Sequence, residues 1–317
     1  MNTQAQAIES TLVLNPTTLE KPAFLMCLPF SHSAGTPNNI WMEELSAAER
    51  AIDRRLALSQ YLTLYHYLAA DAVVYLLPTP AGCSLQDLVF TANLGVVLEH
   101  LPEKDVALVS NFTSEPRRGE SPIGRDFLRA MGYRAEVVPY RFEGEAELKH
   151  LHDNIYIGGY GLRSERRAYE WMEERFDLQI IKVEEVDPYL YHLDCSVFPL
   201  TREDTLVSTE LFSPEEIRAI EKHTNLIDVS ADACYSGICN SVRLHGTILN
   251  ASNVHDLRAG TKEYAEEMAK NRMLEDIAAG LGFEVTYVNL SEYLKSGALL
   301  SCLIMHLNRH SYAYRLV

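Results

Sequence analysis

Ile155-Tyr156-Ile157-Gly158-Gly159-Tyr160-Gly161 is a short apolar run that breaks into a glycine-rich turn. Closed by glycines at that length, it reads as a buried strand. Residues 165–176 then show helical periodicity, and residues 178–183 are another short apolar run. Strand, helix and strand at this spacing form the unit from which α/β sheets are built.

The alternation continues on both sides. Upstream, short strands are expected over residues 24–28, 72–77, 90–98, 106–109 and 135–138, with a helix over 123–131. A long helix is expected from Glu43 to about residue 67, with Leu45, Ala48, Ile52 and Leu56 on one face and Arg54 and Arg55 on the other. Downstream, strands are expected over 191–198, 227–229, 242–249 and 283–288, and a helix over 261–279. Ser213-Pro214-Glu215-Glu216 is a helix start: serine caps, proline fits the first turn, and Glu216 closes a capping box. No linker or shift in composition divides the chain. The expectation is one α/β domain over residues 21–317, preceded by a flexible segment over 1–20. No repeated sequence unit stands out.

Composition narrows the function. The chain has 317 residues, of which 47% are hydrophobic and 23% charged, with a formal net charge of −16. That fits a soluble protein with a sizeable core. It argues against nucleic acid or an anionic membrane as the main partner; it is compatible with a small cationic substrate, which an acidic field would attract. No stretch is apolar for long enough to span a bilayer. The N-terminus lacks the basic-then-apolar pattern of a secretory signal. Six scattered cysteines (Cys27, Cys83, Cys195, Cys234, Cys239, Cys302), with no Cys-x-x-Cys, point to a reduced, cytoplasmic setting.

Several stretches could carry chemistry. In Lys295-Ser296-Gly297-Ala298-Leu299-Leu300-Ser301-Cys302-Leu303-Ile304-Met305-His306-Leu307, a small-residue turn enters an apolar run interrupted by one thiol. That fits a buried strand presenting Cys302 to a pocket, although a buried cysteine is more often a small hydrophobe. Tyr191-His192-Leu193-Asp194 reads as strand, so His192 and Asp194 would face the same side, a pairing suited to acid/base work. Asp87 and Asn93 bracket a strand start, where polar residues commonly cap turns. Phe142-Glu143-Gly144-Glu145-Ala146-Glu147 reads most simply as an acidic loop. Arg117-Arg118-Gly119-Glu120 and Gly161-Leu162-Arg163-Ser164-Glu165 set arginines beside glycines, an arrangement able to grasp a carboxylate. His306 and His310 would share a metal only on a helix, and no third ligand is evident, so no metal is expected. Phosphate-binding loops and Gly-x-Ser-x-Gly elbows are absent, and no cofactor is expected.

Taken in order, these stretches resemble the guanidino-group-modifying superfamily of arginine deiminases, dimethylarginine dimethylaminohydrolases, amidinotransferases and arginine dihydrolases. The dihydrolase type is the nearest likeness, over residues from about 24 to 307. The resemblance implies a pentein fold, a five-bladed β/α propeller with pseudo-fivefold symmetry. It implies that Cys302 is a nucleophile whose pKa a neighbouring cation lowers, and that His192 is the general acid and base. Glu143 and Asp194 would orient His192 and the guanidinium. Asp87 would hold an α-amino group, and Arg118 and Arg163 a carboxylate. Asn93 stands where deiminases carry aspartate and dihydrolases carry asparagine, which implies two rounds of hydrolysis, from arginine to ornithine, carbon dioxide and ammonia. The family's Gly-Asp after Phe-Glu-Gly is here Ala146-Glu147, a departure near the substrate's amino-acid end. An amidinotransferase and a non-catalytic guanidino-binding protein are the competing readings. The partner implied is a small guanidino compound, and an oligomer stays open.

Overall fold

The computed structural model of the chain describes residues 15–314. Its strands form five separate three-stranded sheets. The first contains β1 (Ala23–Cys27) and β2 (Val73–Leu77), with the short helix α1 (Ile40–Glu44) and the long helix α2 (Arg54–Asp71) between them. The second contains β3 (Gly95–Val97), β4 (Val106–Val109) and β5 (Arg134–Val137), with α3 (Glu120–Ala130) crossing from β4 to β5. The third contains β6 (Leu148–His152), β7 (Ile155–Tyr160) and β8 (Gln179–Glu184), with α4 (Arg166–Phe176). The fourth contains β9 (Val197–Pro199), β10 (Asp204–Val207) and β11 (Asn225–Asp228), with α5 (Pro214–Glu221). After α6 (Ala231–Tyr235), the fifth contains β12 (Val242–Leu244), β13 (Thr247–Ala251) and β14 (Glu284–Val288), with α7 (Lys262–Gly280). Helix α8 (Ser291–Leu294) leads to β15 (Met305–His306), which joins the first sheet.

Every sheet repeats one plan. Its first strand pairs antiparallel with the second, and the second pairs parallel with the third. A parallel pair needs a crossover, and in each case a helix supplies it. In the first sheet β15 supplies the antiparallel strand, with Phe24 opposite His306 and Leu25 opposite Met305. The two ends of the chain thus close one unit together. The fivefold repetition is structural. It lies in strand order and direction rather than in recurring residues, which is why the sequence shows no repeat.

Helices pack one face on their sheets. In α2 the buried positions are Ala57, Gln60, Tyr61, Leu64 and Leu68, one stripe at helical spacing. With Phe24 and Met26 of β1, all of them but Gln60 belong to one of the apolar clusters of the core. Each fully buried leucine of this kind stabilises the fold by roughly 1.5–3 kcal/mol. The helix expected from Glu43 is two helices, because Asp53 restarts the chain: its side chain accepts the Arg55 and Leu56 N–H groups as an N-cap. The Ser213–Glu216 capping box at α5 is present as expected.

Of the segment expected to be flexible over 1–20, residues 1–14 lie outside the described residues. Residues 15–19 are not loose. Thr17 Oγ1 donates to Leu307 O at 2.8 Å, and Asn308 Nδ2 donates to Lys21 O at 2.9 Å and to Pro16 O at 3.2 Å. Among the described residues no helix is long and apolar enough to cross a membrane.

Candidate active site

Just before the first strand of each unit the chain makes a tight turn. The turns are Thr91–Asn93, Gly144–Ala146, Leu193–Cys195, residues 238–241 and Ser301–Leu303. Three of them replace strand that the sequence suggested over 90–98, 191–198 and the Cys302 run. Side chains in these turns bond to remote partners instead of a ladder: Thr91 Oγ1 donates to Leu25 O and Leu303 O, and Ser301 Oγ to Asp194. The turns converge closely. Gly144 has φ +69°, and a Cβ there would lie 2.6 Å from Ala92 O, so only glycine lets the first two turns touch.

Cys302 sits in the last turn, buried, and not on a strand as expected. Its Sγ lies 3.5 Å from Asn240 Nδ2 and 3.8 Å from Asp194 Oδ2. Ser301 Oγ donates to that same carboxylate oxygen at 2.6 Å, and Asn240 Oδ1 accepts the Ser301 N–H at 2.8 Å. Burial, and then the Asp194 charge, push the Cys302 thiol from 9.0 up to about 12. The cation expected to lower it is not beside the sulfur: Lys149 acts only through its field and is outweighed.

His192 caps the turn at Leu193–Cys195. Its Nε2 lies 2.8 Å from Glu143 Oε2 and 3.4 Å from Asn93 Nδ2. Glu143 Oε1 accepts the Thr113 N–H at 3.1 Å and lies 3.9 Å from Arg163 Nη1. Burial raises the Glu143 carboxyl, but His192, Arg163 and Arg117 more than offset it and hold the group at about 2. Burial lowers the His192 pKa and outweighs its carboxylate neighbours. The arrangement is therefore a carboxylate accepting from a neutral imidazole, the pairing that fixes a ring for proton transfer. Asp194, two residues on, faces the sulfur rather than the imidazole.

The candidate binding residues gather in part. Asp87, Asn93, Arg163, His192 and Cys302 line one polar slot of about 20 Å³. Asp87 Oδ2 accepts from Asn38 Nδ2 at 2.6 Å. Arg163 donates to Asn38 O at 2.7 Å, and its guanidinium stacks 4.8 Å from the Tyr191 ring centroid. Arg118 does not belong: it is exposed and reaches only Thr113 O, at 3.4 Å. Its neighbour Arg117 is the buried one and lines the slot, bonded to both Glu120 oxygens at 3.0 and 2.8 Å. Which of two adjacent arginines turns inward depends on the Glu115–Arg117 turn, which the sequence did not disclose.

Cys302, His192 and Tyr191 also line a second, larger cavity of about 520 Å³, with Asp194 and Asn240. Asn240 escaped the sequence analysis. Its only signal is its place just ahead of β12, which matters once the five turns are seen to be equivalent.

The stretch 142–147 is not a solvated acidic loop. Glu143, Glu145 and Glu147 are all buried. Glu145 Oε1 lies 2.6 Å from His306 Nδ1 and 3.1 Å from Arg309 Nη2. Glu147 accepts the Leu193 N–H at 3.2 Å and the Ser164 hydroxyl at 3.2 Å, and Ser164 Oγ accepts the Glu143 N–H at 3.2 Å. Glu185 is buried next to it: a Cβ on Gly159 would be 2.7 Å from Glu185 Oε2 and 3.0 Å from Glu147 Oε2. Burial and mutual repulsion raise Glu147 well above the carboxylate range, and burial raises Glu185 to about 8. His306 faces Glu145, and among the described residues no group of three or more His, Cys, Asp and Glu side chains is placed to hold a metal.

Comparison with known proteins places this architecture. No family model matches the sequence. The bifunctional arginine dihydrolase/ornithine cyclodeaminase AgrE of Nostoc sp. is 28% identical over 292 residues, covering 89% of this chain and 37% of AgrE. The N(G),N(G)-dimethylarginine dimethylaminohydrolase of Mycobacterium tuberculosis is 27% identical over 274 residues, covering 85% of this chain and 80% of that one. The crystal structure of the N-terminal domain of ArgZ bound to substrate, a cyanobacterial arginine dihydrolase, superposes with a TM-score of 0.77 at 25% identity, covering 90% of this chain and 98% of that one. The present chain spans 37% of the length of AgrE and of its Synechocystis counterpart ArgZ. The fold is thus the α/β fold of the arginine dihydrolase domain. In sequence and in fold the chain is similar to members of the guanidino-group-modifying superfamily.

Proposed function

We propose that the protein is a cysteine-dependent hydrolase that cleaves C–N bonds of the guanidino group of arginine or an arginine derivative. The observation that carries this is the shared wall. Cys302 lies near the end of the described chain and His192 in its middle third, yet both line the same two cavities, flanked by Glu143 and Asp194. A planar cation suits a site walled by carboxylates.

The free thiol is protonated at neutral pH, because burial and Asp194 hold it at about 12. A guanidinium bound beside Asp194 supplies the missing positive charge, so thiolate forms as substrate arrives. The sulfur attacks the guanidinium carbon, and the thiol proton passes by way of His192 to the departing nitrogen. His192 then activates water against the amidino-cysteine. The C–S bond breaks and the ureido product leaves. Glu143 fixes the imidazole, and Asp194 and Asn240 flank the sulfur. Asp87 and Arg163 hold the amino-acid end, with Arg117 in the place first given to Arg118.

Asn93 favours a second round. Its amide is neutral, so nothing in that position grips a cationic substrate more strongly than a neutral ureido intermediate. Ornithine, carbon dioxide and ammonia would follow from arginine. The five sheets are read as the blades of a pentein propeller, with their five turns at the axis. That is supported by the repeated strand plan and the meeting of the turns.

Mass analysis of products from arginine and methylated arginines, with Cys302→Ser as control, tests the proposal. Ornithine, together with an acid-stable adduct on Cys302, is expected. Accumulated citrulline would refute the two-round reading. Untouched arginine and untouched methylarginines would refute the activity.

A further inference from the structure

Cys302 and His192 line two very unequal spaces. One is the polar slot of about 20 Å³. The other is the cavity of about 520 Å³. Departing ammonia is the size of a water, which occupies about 30 Å³ in the liquid, so it would leave this cavity almost empty. Its volume is that of pockets that enclose whole organic ligands.

The cavity is also graded. Its floor is reactive and buried: Cys302, His192, Asp194 and Asn240. Apolar walls come from Trp41, Leu257, Leu290 and Leu299. Trp41 is held in place by its Nε1–H bond to Tyr189 O at 2.8 Å. Exposed carboxylates of Asp232, Glu263 and Glu266 stand at the lining's outer part, where among the described residues only Glu266 is ion-paired, with Lys262 at 3.2 Å. An apolar body bearing one amine, cationic once released, matches both wall and rim.

We propose that this cavity is a subsite for an organic amine, and that the enzyme takes guanidines whose departing nitrogen carries a substituent larger than methyl, aliphatic or aromatic. The inference rests on the activity proposed above. In the step it describes, the bond from Sγ to the guanidino carbon forms and the bond from that carbon to the substituted nitrogen breaks. The thiol proton reaches that nitrogen through His192. Water then replaces sulfur on the carbon and returns a proton to the thiol. The products are a ureido amino acid and a free primary amine, which leaves past the acidic rim.

The test compares arginine with its Nω-methyl, Nω-propyl and Nω-benzyl derivatives, reading kcat/KM and released amine. Propyl and benzyl substrates are expected to be turned over at least as efficiently as arginine. Leu257→Trp, which fills the cavity away from the reacting groups, should lower kcat/KM for the benzyl substrate about tenfold or more and leave arginine within about twofold. Turnover of arginine by the variant reports that it folds. Leu294→Trp, at the exposed part of the same lining, is the second filler if Leu257→Trp does not fold. Turnover of arginine but not of the propyl or benzyl substrates overturns the inference and leaves the activity standing. Equal losses for arginine and the benzyl substrate also overturn it, because the cavity would then hold the amino-acid end. If no guanidine is turned over, the activity fails and the inference falls with it.

Discussion

Asp194→Asn separates two jobs that one carboxylate performs. Asp194 Oδ2 lies 3.8 Å from Cys302 Sγ. Two like charges at that distance repel by about 4 kcal/mol at an effective dielectric of about 20, which corresponds to about 3 pH units on the thiol. That is the size of the rise from 9.0 to about 12, although burial is the larger cause and keeps part of it. The asparagine variant should therefore bring the thiol down by about 1–3 units. The assay is the rate of alkylation of the free enzyme by a neutral haloacetamide across pH. The midpoint should fall, and alkylation at neutral pH should become faster. Turnover should move the other way, because the guanidinium loses the charge that held it beside the sulfur. Ser301→Ala is the control: it removes the 2.6 Å hydrogen bond to Asp194 but no charge, so its alkylation midpoint should shift far less. A midpoint that stays or rises in Asp194→Asn would refute the electrostatic account of Cys302.

The Glu147–Glu185 pair should give stability a negative pH slope. Glu185 is raised to about 8 in the folded chain, against about 4.3 unfolded, so the folded state holds the extra proton between those values. Its contribution is full below pH ~4.3 and is lost as pH rises toward about 8. Glu185→Gln should reduce that slope, leaving what the burial of Glu147 contributes, and thermal melts from pH 5 to 8 check it; an unchanged slope would assign it elsewhere. The two arginines once grouped together should part: Arg118→Ala should change kcat/KM less than about twofold, since Arg118 is exposed and reaches only the Thr113 carbonyl. Arg163→Ala should raise KM by about tenfold or more, because it removes a partly buried cation beside Glu143. Equal effects in steady-state assays would mean that the slot is not the substrate's site.

What could be read from the sequence depended on whether the signal was local. The Ser213–Glu216 box is a complete local instruction, and it was legible residue by residue. So were the short apolar strands between glycines and prolines. Asp53 was equally local, yet an apolar stripe running past it hid the break between α1 and α2. The turn at Cys302 was not legible, because an apolar run has no period that tells a strand from a buried turn. There the conformation is fixed by Asn240 and Asp194, which are remote in sequence. Arg117 and Arg118 fail for a related reason: neighbours in sequence, they are told apart by Glu120, the Phe112 ring and the backbone carbonyls of Asp87 and Phe90. The acidic stretch 143–147 looked solvated because its partners, His192, His306 and Arg309, lie far along the chain.

The repeated plan explains why the candidate centre is both dispersed and rigid. One polar group arrives from each unit at an equivalent place: Asn93, Glu143, His192, Asn240 and Cys302. Each stands in or beside the turn before a short strand, and each strand is locked into its own sheet. Position therefore comes from five small frameworks rather than from one flexible loop. Chemistry can change at one turn without disturbing the others, as the neutral Asn93 illustrates. The fifth turn is the exception. Its strand β15 pairs with β1 from the other end of the chain, and Asn39 Nδ2 donates to Ser296 O at 3.0 Å to hold the approach to Cys302. Cys302 is thus placed only when the first and last parts of the chain have met, so this turn should be the last to acquire its geometry and the first to lose it.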